Sequence, residues 1–158
     1  MSVKELTNQV QLSFDLISEK YAMKLLFSSI GLIYIWFGAL KFFAGYSPAE
    51  QLAGETLDTI TFHLLDKQIL LWGLAGWELL IGVFFFLRIK SKMILGLMLL
   101  HMAGTLLPII LFPEQVFNRP PFGFSIVGQY IMKNLVFIFA ALIVYSQPAT
   151  RPTYPSKL

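Results

Sequence analysis

Four ionisable side chains, Lys41, Glu78, His101 and Lys133, stand inside long apolar stretches of this 158-residue chain. A charge in such a setting is costly, so it faces the protein interior, finds a partner, and marks proton or ligand sites more often than chance. Their neighbours at helical spacing fix the direction. Gly31, Tyr34, Gly38, Lys41 and Gly45 step by three and four, as do Leu71, Ala75, Glu78 and Gly82. His101 shares a face with Gly104, Thr105 and Pro108; Lys133 lies with Gln129 and Ala140, and Asn134 with Ala141. Each stripe mixes small and polar residues, the pattern that lets membrane helices approach closely.

The chemistry these types allow is narrow. Glu78, at the middle of its apolar run, is too deep to reach water and is expected to pair with one or both lysines. Gln129, Asn134 and Tyr34 would then fill its remaining hydrogen bonds. Lys41 and Lys133 lie nearer the outer end, where snorkelling to the headgroups is the competing reading. His101 reads either as a donor in the cluster or as a satisfied core histidine. Pro108 is expected to free the Gly104 carbonyl for a nearby polar group. Together the cluster could exchange protons at Glu78 and donate hydrogen bonds from Tyr34, Lys41, His101 and Lys133. A neutral apolar ligand such as a quinone asks for little more than an apolar slot and one or two such donors.

The elements that must position these groups follow from hydropathy. Hydrophobic residues make up 56% of the chain and charged residues 13%, about half the charged share of a soluble domain; mean hydropathy is +0.69. Four apolar runs, 25–44, 69–87, 93–112 and 128–145, each approach the roughly 20 helical residues that cross a bilayer. The fold class predicted is therefore an all-α integral membrane protein. It would be a four-transmembrane-helix bundle forming a single domain over 1–158, with an N-terminal interfacial amphipathic helix and short outer-loop helices. The amphipathic segment, within 1–24, carries Leu6, Val10, Phe14, Ile17 and Tyr21 at spacings of three and four, with Leu12 and Leu16 off the stripe. No cleavable leader is expected, because no uninterrupted apolar core precedes Leu25. Ser47-Pro48-Ala49-Glu50 matches a capping box for an outer helix that breaks near Gly54, with Leu57, Ile60 and Leu64 allowing a second. Residues 113–123 read as an irregular or partly re-entrant outer loop, and 146–158 as a tail.

Charge gives the direction of insertion. Lys4, Lys20, Lys24, Arg88, Lys90, Lys92, Arg151 and Lys157 fall on the side of both termini. Only Lys67 and Arg119 fall opposite, beside Glu50, Glu55, Asp58, Asp66 and Glu114. The positive-inside rule places both termini in the cytoplasm, so the net charge of +3 needs no nucleic acid to explain it. With no cysteine, thiolate metal sites, iron–sulfur ligation and thiol redox chemistry are excluded. No metal site and no cofactor held within the chain are expected. His63 is placed in solvent, away from any two-histidine haem site.

Three segments carry a family resemblance. Tyr34-Ile35-Trp36-Phe37-Gly38-Ala39-Leu40-Lys41-Phe42 resembles the first-span signature of the DoxX-like membrane proteins. Gly76-Trp77-Glu78-Leu79-Leu80-Ile81-Gly82 resembles their second-span glutamate followed by a glycine, and Gly128-Gln129-Tyr130-Ile131-Met132-Lys133-Asn134-Leu135 their last-span opening. The related DUF417 branch has a similar last span. The resemblance runs from about Ser28 to Tyr145 and implies a four-helix bundle in the bacterial plasma (inner) membrane. Its members include a quinol- or thiosulfate-linked respiratory subunit, parts of oxidative-stress complexes, and membrane chaperones for receptor assembly. The missing cysteines set this chain apart from the thiol-linked branches. The expectation is an accessory subunit of a quinone-linked redox or oxidative-stress system, incomplete as an enzyme alone. It would hold a quinone or other small apolar molecule and work with a redox partner subunit or as a homo-oligomer. The alternative is a non-enzymatic scaffold or assembly partner whose polar cluster is structural. A ligand-sized cavity at Glu78, Lys41 and Lys133 would favour the first; a cluster packed shut, with an apolar groove facing lipid, the second.

Overall fold

A computed structural model describes residues 3–43, 45–47 and 49–146, with the side chains of 14, 19 and 20 left aside. Along the chain come α1 (Val3–Leu40), α2 (Glu50–Ile60), α3 (Lys67–Phe86), α4 (Lys92–Leu106), α5 (Pro108–Leu111), α6 (Pro113–Val116), β1 (Phe117–Arg119), β2 (Gly123–Phe124) and α7 (Ile126–Ser146). Four stretches are long and apolar enough to cross a membrane: Tyr21–Leu40, Lys67–Phe86, Lys92–Leu111 and Ile126–Ser146. The architecture is that of a multi-pass helical membrane protein. The tail at 147–158, Ala44 and Pro48 lie outside the described residues.

The spanning helices touch in a ring, α1 on α3, α3 on α4, α4 on α7 and α7 on α1. Phe27, Ile30, Ile81, Phe85, Ile94, Met98, Met102, Ala141 and Val144 fill its centre. The closest approach is between α1 and α3. A Cβ on Gly82 would lie 2.7 Å from the Ile35 backbone nitrogen, and one on Gly31 would overlap the backbone of Phe86. At the end that holds the N-terminal part of the α1 span, Phe27, Phe85 and Tyr145 pack ring to ring at 5.7–6.5 Å. There Tyr145 Oη accepts a hydrogen bond from the Ser91 N–H, tying α7 to the α3–α4 turn.

Three expectations are corrected. The N-terminal segment is not a separate interfacial helix: α1 runs unbroken for 38 residues. It contains no proline, and no glycine before Gly31, so nothing kinks it where it leaves the span. The outer helix begins at Glu50 with Ala49 at its cap and no side-chain cap bond; the Glu50 carboxylate instead accepts from the Gly45 N–H at 2.9 Å. That helix also passes through Gly54, which is buried and faces Leu71 at ordinary contact distance. Finally, the Gly104 carbonyl is not free, because the Leu107 N–H takes it in a tighter turn ahead of Pro108. Residues 113–124 form α6 and a two-stranded ribbon, Phe117 opposite Phe124. It is the one departure from an all-helical chain among the described residues.

Candidate functional site

The last turn of α1, the centre of α3 and the centre of α4 converge on one polar cluster. Gly38 eases it: a Cβ there would meet the Glu78 Cβ at 3.1 Å and the Ala75 carbonyl at 3.2 Å, so any larger residue would push α3 back by a few tenths of an ångström. Lys41, just past the end of α1, folds back. Its Nζ donates to Glu78 Oε2 at 2.6 Å and, at 3.4 Å, to the Phe37 carbonyl. The other carboxylate oxygen, Oε1, lies 3.1 Å from His101 Nε2. His101 Nδ1 lies 3.1 Å from Tyr34 Oη.

One protonation pattern satisfies every member. A neutral imidazole has one donor and one acceptor nitrogen. With the proton on Nε2, His101 donates to Glu78 and accepts at Nδ1 from the Tyr34 hydroxyl. The chain then reads Tyr34 to His101 to Glu78, with Lys41 donating from the other side. Charge is balanced by one ammonium and one carboxylate in direct contact, the arrangement a buried charge requires. The cluster is closed: Tyr34, Lys41 and Glu78 are 4–7% exposed, and the His101 side chain 8%.

The structure brings together Tyr34, Lys41, Glu78 and His101, and leaves three sequence candidates outside. Asn134 Nδ2 donates to Thr105 Oγ1 at 3.0 Å, a clamp between α7 and α4. Lys133 is exposed, with Nζ 5.2 Å from the Tyr130 ring centre. Gln129 is exposed as well. The cause is rotation of α7, which turns Gly128, Ile131, Ala141 and Val144 inward and so carries 129 and 133 around to the outer face. Of the two lysines expected as partners for Glu78, Lys41 pairs with it and Lys133 does not; His101 takes the other carboxylate oxygen.

Sequence reasoning passed over Trp77. Its ring lies 6.5 Å from that of His101, and its indole Nε1 is buried without a hydrogen-bond partner among the described residues. The available signal was its place beside Glu78, next to the Leu71–Ala75–Glu78–Gly82 stripe.

Outside the spans a second polar group ties α2 to its neighbours. Asp58 contacts His63 at 2.8 Å and Lys67 at 3.6 Å, and the His63 hydrogen bond chiefly holds its carboxyl below the usual range. Glu55 accepts from Gln115 at 2.7 Å, the main cause of its lowered pKa, and from Gln51. The His63 side chain is 72% exposed. Among the described residues no three His, Asp or Glu gather as a metal site would need. No protein-family model matches the chain, and no curated protein or solved structure matches it either.

Proposed function

We propose that this chain is a DoxX-like plasma-membrane protein that works as a non-enzymatic scaffold or assembly partner, its buried quartet locking three helices in register. The observation that carries the reading is closure. Both Glu78 oxygens are taken by protein donors, and Tyr34, Lys41, Glu78 and His101 are shut away from lipid and water. A ligand entering there would have to break a 2.6 Å ion pair or the Tyr34–His101 bond first. The side of the bundle offers instead a shallow, open apolar groove bordered by Leu25, Ser29, Leu32 and Phe86. The skew of lysine and arginine between the loops supports both termini in the cytoplasm, and the three sequence segments around Lys41, Glu78 and Lys133 support the family.

A second reading, the quinone-linked accessory subunit, is favoured by one observation. The unpartnered Trp77 indole N–H beside His101 is a donor that a quinone carbonyl could occupy after a side-chain shift. Native mass spectrometry with lipid extraction, on wild type and Glu78→Gln, separates the two. The scaffold reading expects no apolar molecule that depends on Glu78 and a less stable variant. A quinone carried by the wild type and lost from the variant would overturn it in favour of a redox accessory role.

A further inference from the structure

The first half of α1 reaches beyond the bundle and carries an exposed apolar stripe. Twenty of its residues, Tyr21–Leu40, suffice to span. The residues before them continue the same helix for about 27 Å at 1.5 Å per residue. Val3, Leu6, Val10, Ile17, Leu25 and Leu32 are between 49% and 82% exposed. They share one spacing: Val3, Leu6, Val10; then position 14, Ile17, Tyr21; then Leu25, Ser28, Leu32. That is a three-four-four step repeated three times. An eleven-residue repeat stays on one face of a nearly straight helix, with a slight right-handed drift. The face therefore runs unbroken from the extension into the span, where Ser28 and Leu32 border the lateral groove.

Whatever covers this face must itself pass from water into the apolar layer at the same depth. A lipid surface cannot follow a helix that projects away from it. Helices that lie on anionic membranes are rich in lysine and arginine, whereas residues 3–24 carry three acids (Glu5, Asp15, Glu19) against three bases (Lys4, Lys20, Lys24). The α1 of a second copy meets every requirement. It has the same profile, the membrane forces it parallel and in register, and the stripe itself carries no charged residue. The strip is about 44 Å long and covers on the order of 1,000 Å² over both copies, the scale at which specific interfaces begin. We infer that the Val3–Leu32 face of α1 is a self-association surface, on which two copies pair as parallel helices about an axis along the membrane normal. The inference does not depend on what the quartet does.

The chain has no cysteine, so single-cysteine variants in phosphatidylcholine vesicles report the contact directly. Val10→Cys, Ile17→Cys and Leu25→Cys should form disulfide-linked dimers on mild oxidation. Leu12→Cys and Asp15→Cys, on other sides of the helix, should not. Val10→Glu with Ile17→Glu places like charges across the seam and should lower the dimer fraction about tenfold, with the unfolding midpoint of the monomer unchanged because both sites are exposed. Equal cross-linking at all five positions would mean chance collision and overturn the inference. A monomer whose cysteines at 10 and 17 are shielded from an aqueous thiol reagent only by added phosphatidylglycerol would assign the face to the membrane instead. A monomer reactive in both lipids would leave the face without a second copy, and the inference would fail.

Discussion

Replacing Lys41 and Glu78 with methionine, singly and together, tests whether the ion pair fixes the bundle. Methionine is unbranched and fills either space without adding a polar group. At the 2.6 Å separation of Nζ and Oε2, the attraction is about 6 kcal/mol at an effective dielectric of 20. The loss of hydration opposes it by several kcal/mol per ion. The pair is therefore close to neutral as a unit, yet each member alone is a liability. Lys41→Met leaves Glu78 held by His101 alone, and Glu78→Met leaves Lys41 with only the long bond to the Phe37 carbonyl and His101 Nε2 without an acceptor. Each single change should cost about 3–5 kcal/mol, Glu78→Met the more. The double variant removes both charges and orphans only His101, a cost of about 1–3 kcal/mol.

The assay is reversible unfolding by SDS in mixed micelles, followed by the fluorescence of the three tryptophans. An unfolded helix in a micelle also finds polar partners, so values near the lower end of the range are expected. A double variant less stable than either single one, with additive costs, would refute the reasoning. So would single costs below about 1 kcal/mol, since an ammonium already hydrated at the membrane surface would not need its partner.

Three further outcomes follow from the geometry. Gly82→Ala should cost about 3 kcal/mol by forcing α1 and α3 apart, whereas Gly96→Ala, with open space around it, should gain about 0.5–1 kcal/mol of helix propensity; SDS midpoints of the two variants decide. Tyr145→Phe removes the acceptor for the Ser91 N–H and should cost about 1 kcal/mol, with faster amide exchange at Ser91 as the local signature. Asp58 and Glu55 have lowered pKa values in the folded chain. Their stabilisation is present above the ordinary carboxylate pKa and is lost as pH falls through the lowered folded values; α2 should become protease-sensitive below about pH 4, with a weaker acid response in Asp58→Asn.

Much of this was legible from residue types, and what was not has a physical cause. Hydropathy over some twenty residues sees a span whatever its rotation, so four crossing helices were readable. The small-residue stripes marked faces of close approach on every span, but only the packing shows that Gly31, Gly38 and Gly82 meet in one seam between α1 and α3. Rotation of α7 was not readable. Its polar residues at 129, 133 and 134 spread around the helix, and only the packing of Ile131, Ala141 and Val144 decides which of them turn outward. Helix continuity was missed at residues 21–24 for a related reason. Amphipathic periodicity is the same for a helix lying on a membrane and one standing out of it; the difference is a bend, and this sequence supplies no residue to make one.

The seam and the quartet are one device. At Gly31 and Gly82 the backbones of α1 and α3 leave no room for a Cβ; at Gly38 the nearest atoms are already 3.1–3.2 Å from where a Cβ would stand; one turn later the gap admits the Lys41 side chain. The two helices thus diverge toward the C-terminal end of α1, and a wedge filled with apolar side chains could slide in depth. Hydrogen bonds at fixed heights cannot, so Lys41–Glu78, Glu78–His101 and His101–Tyr34 set the height of α1, α3 and α4 together. No bond of this set reaches α7. It is held instead by Asn134 to Thr105 near the middle and Tyr145 to Ser91 at the end. Three helices thus share one hydrogen-bonded register, and the fourth is fixed by its own two clamps and by Ala141 and Val144 packed in the core.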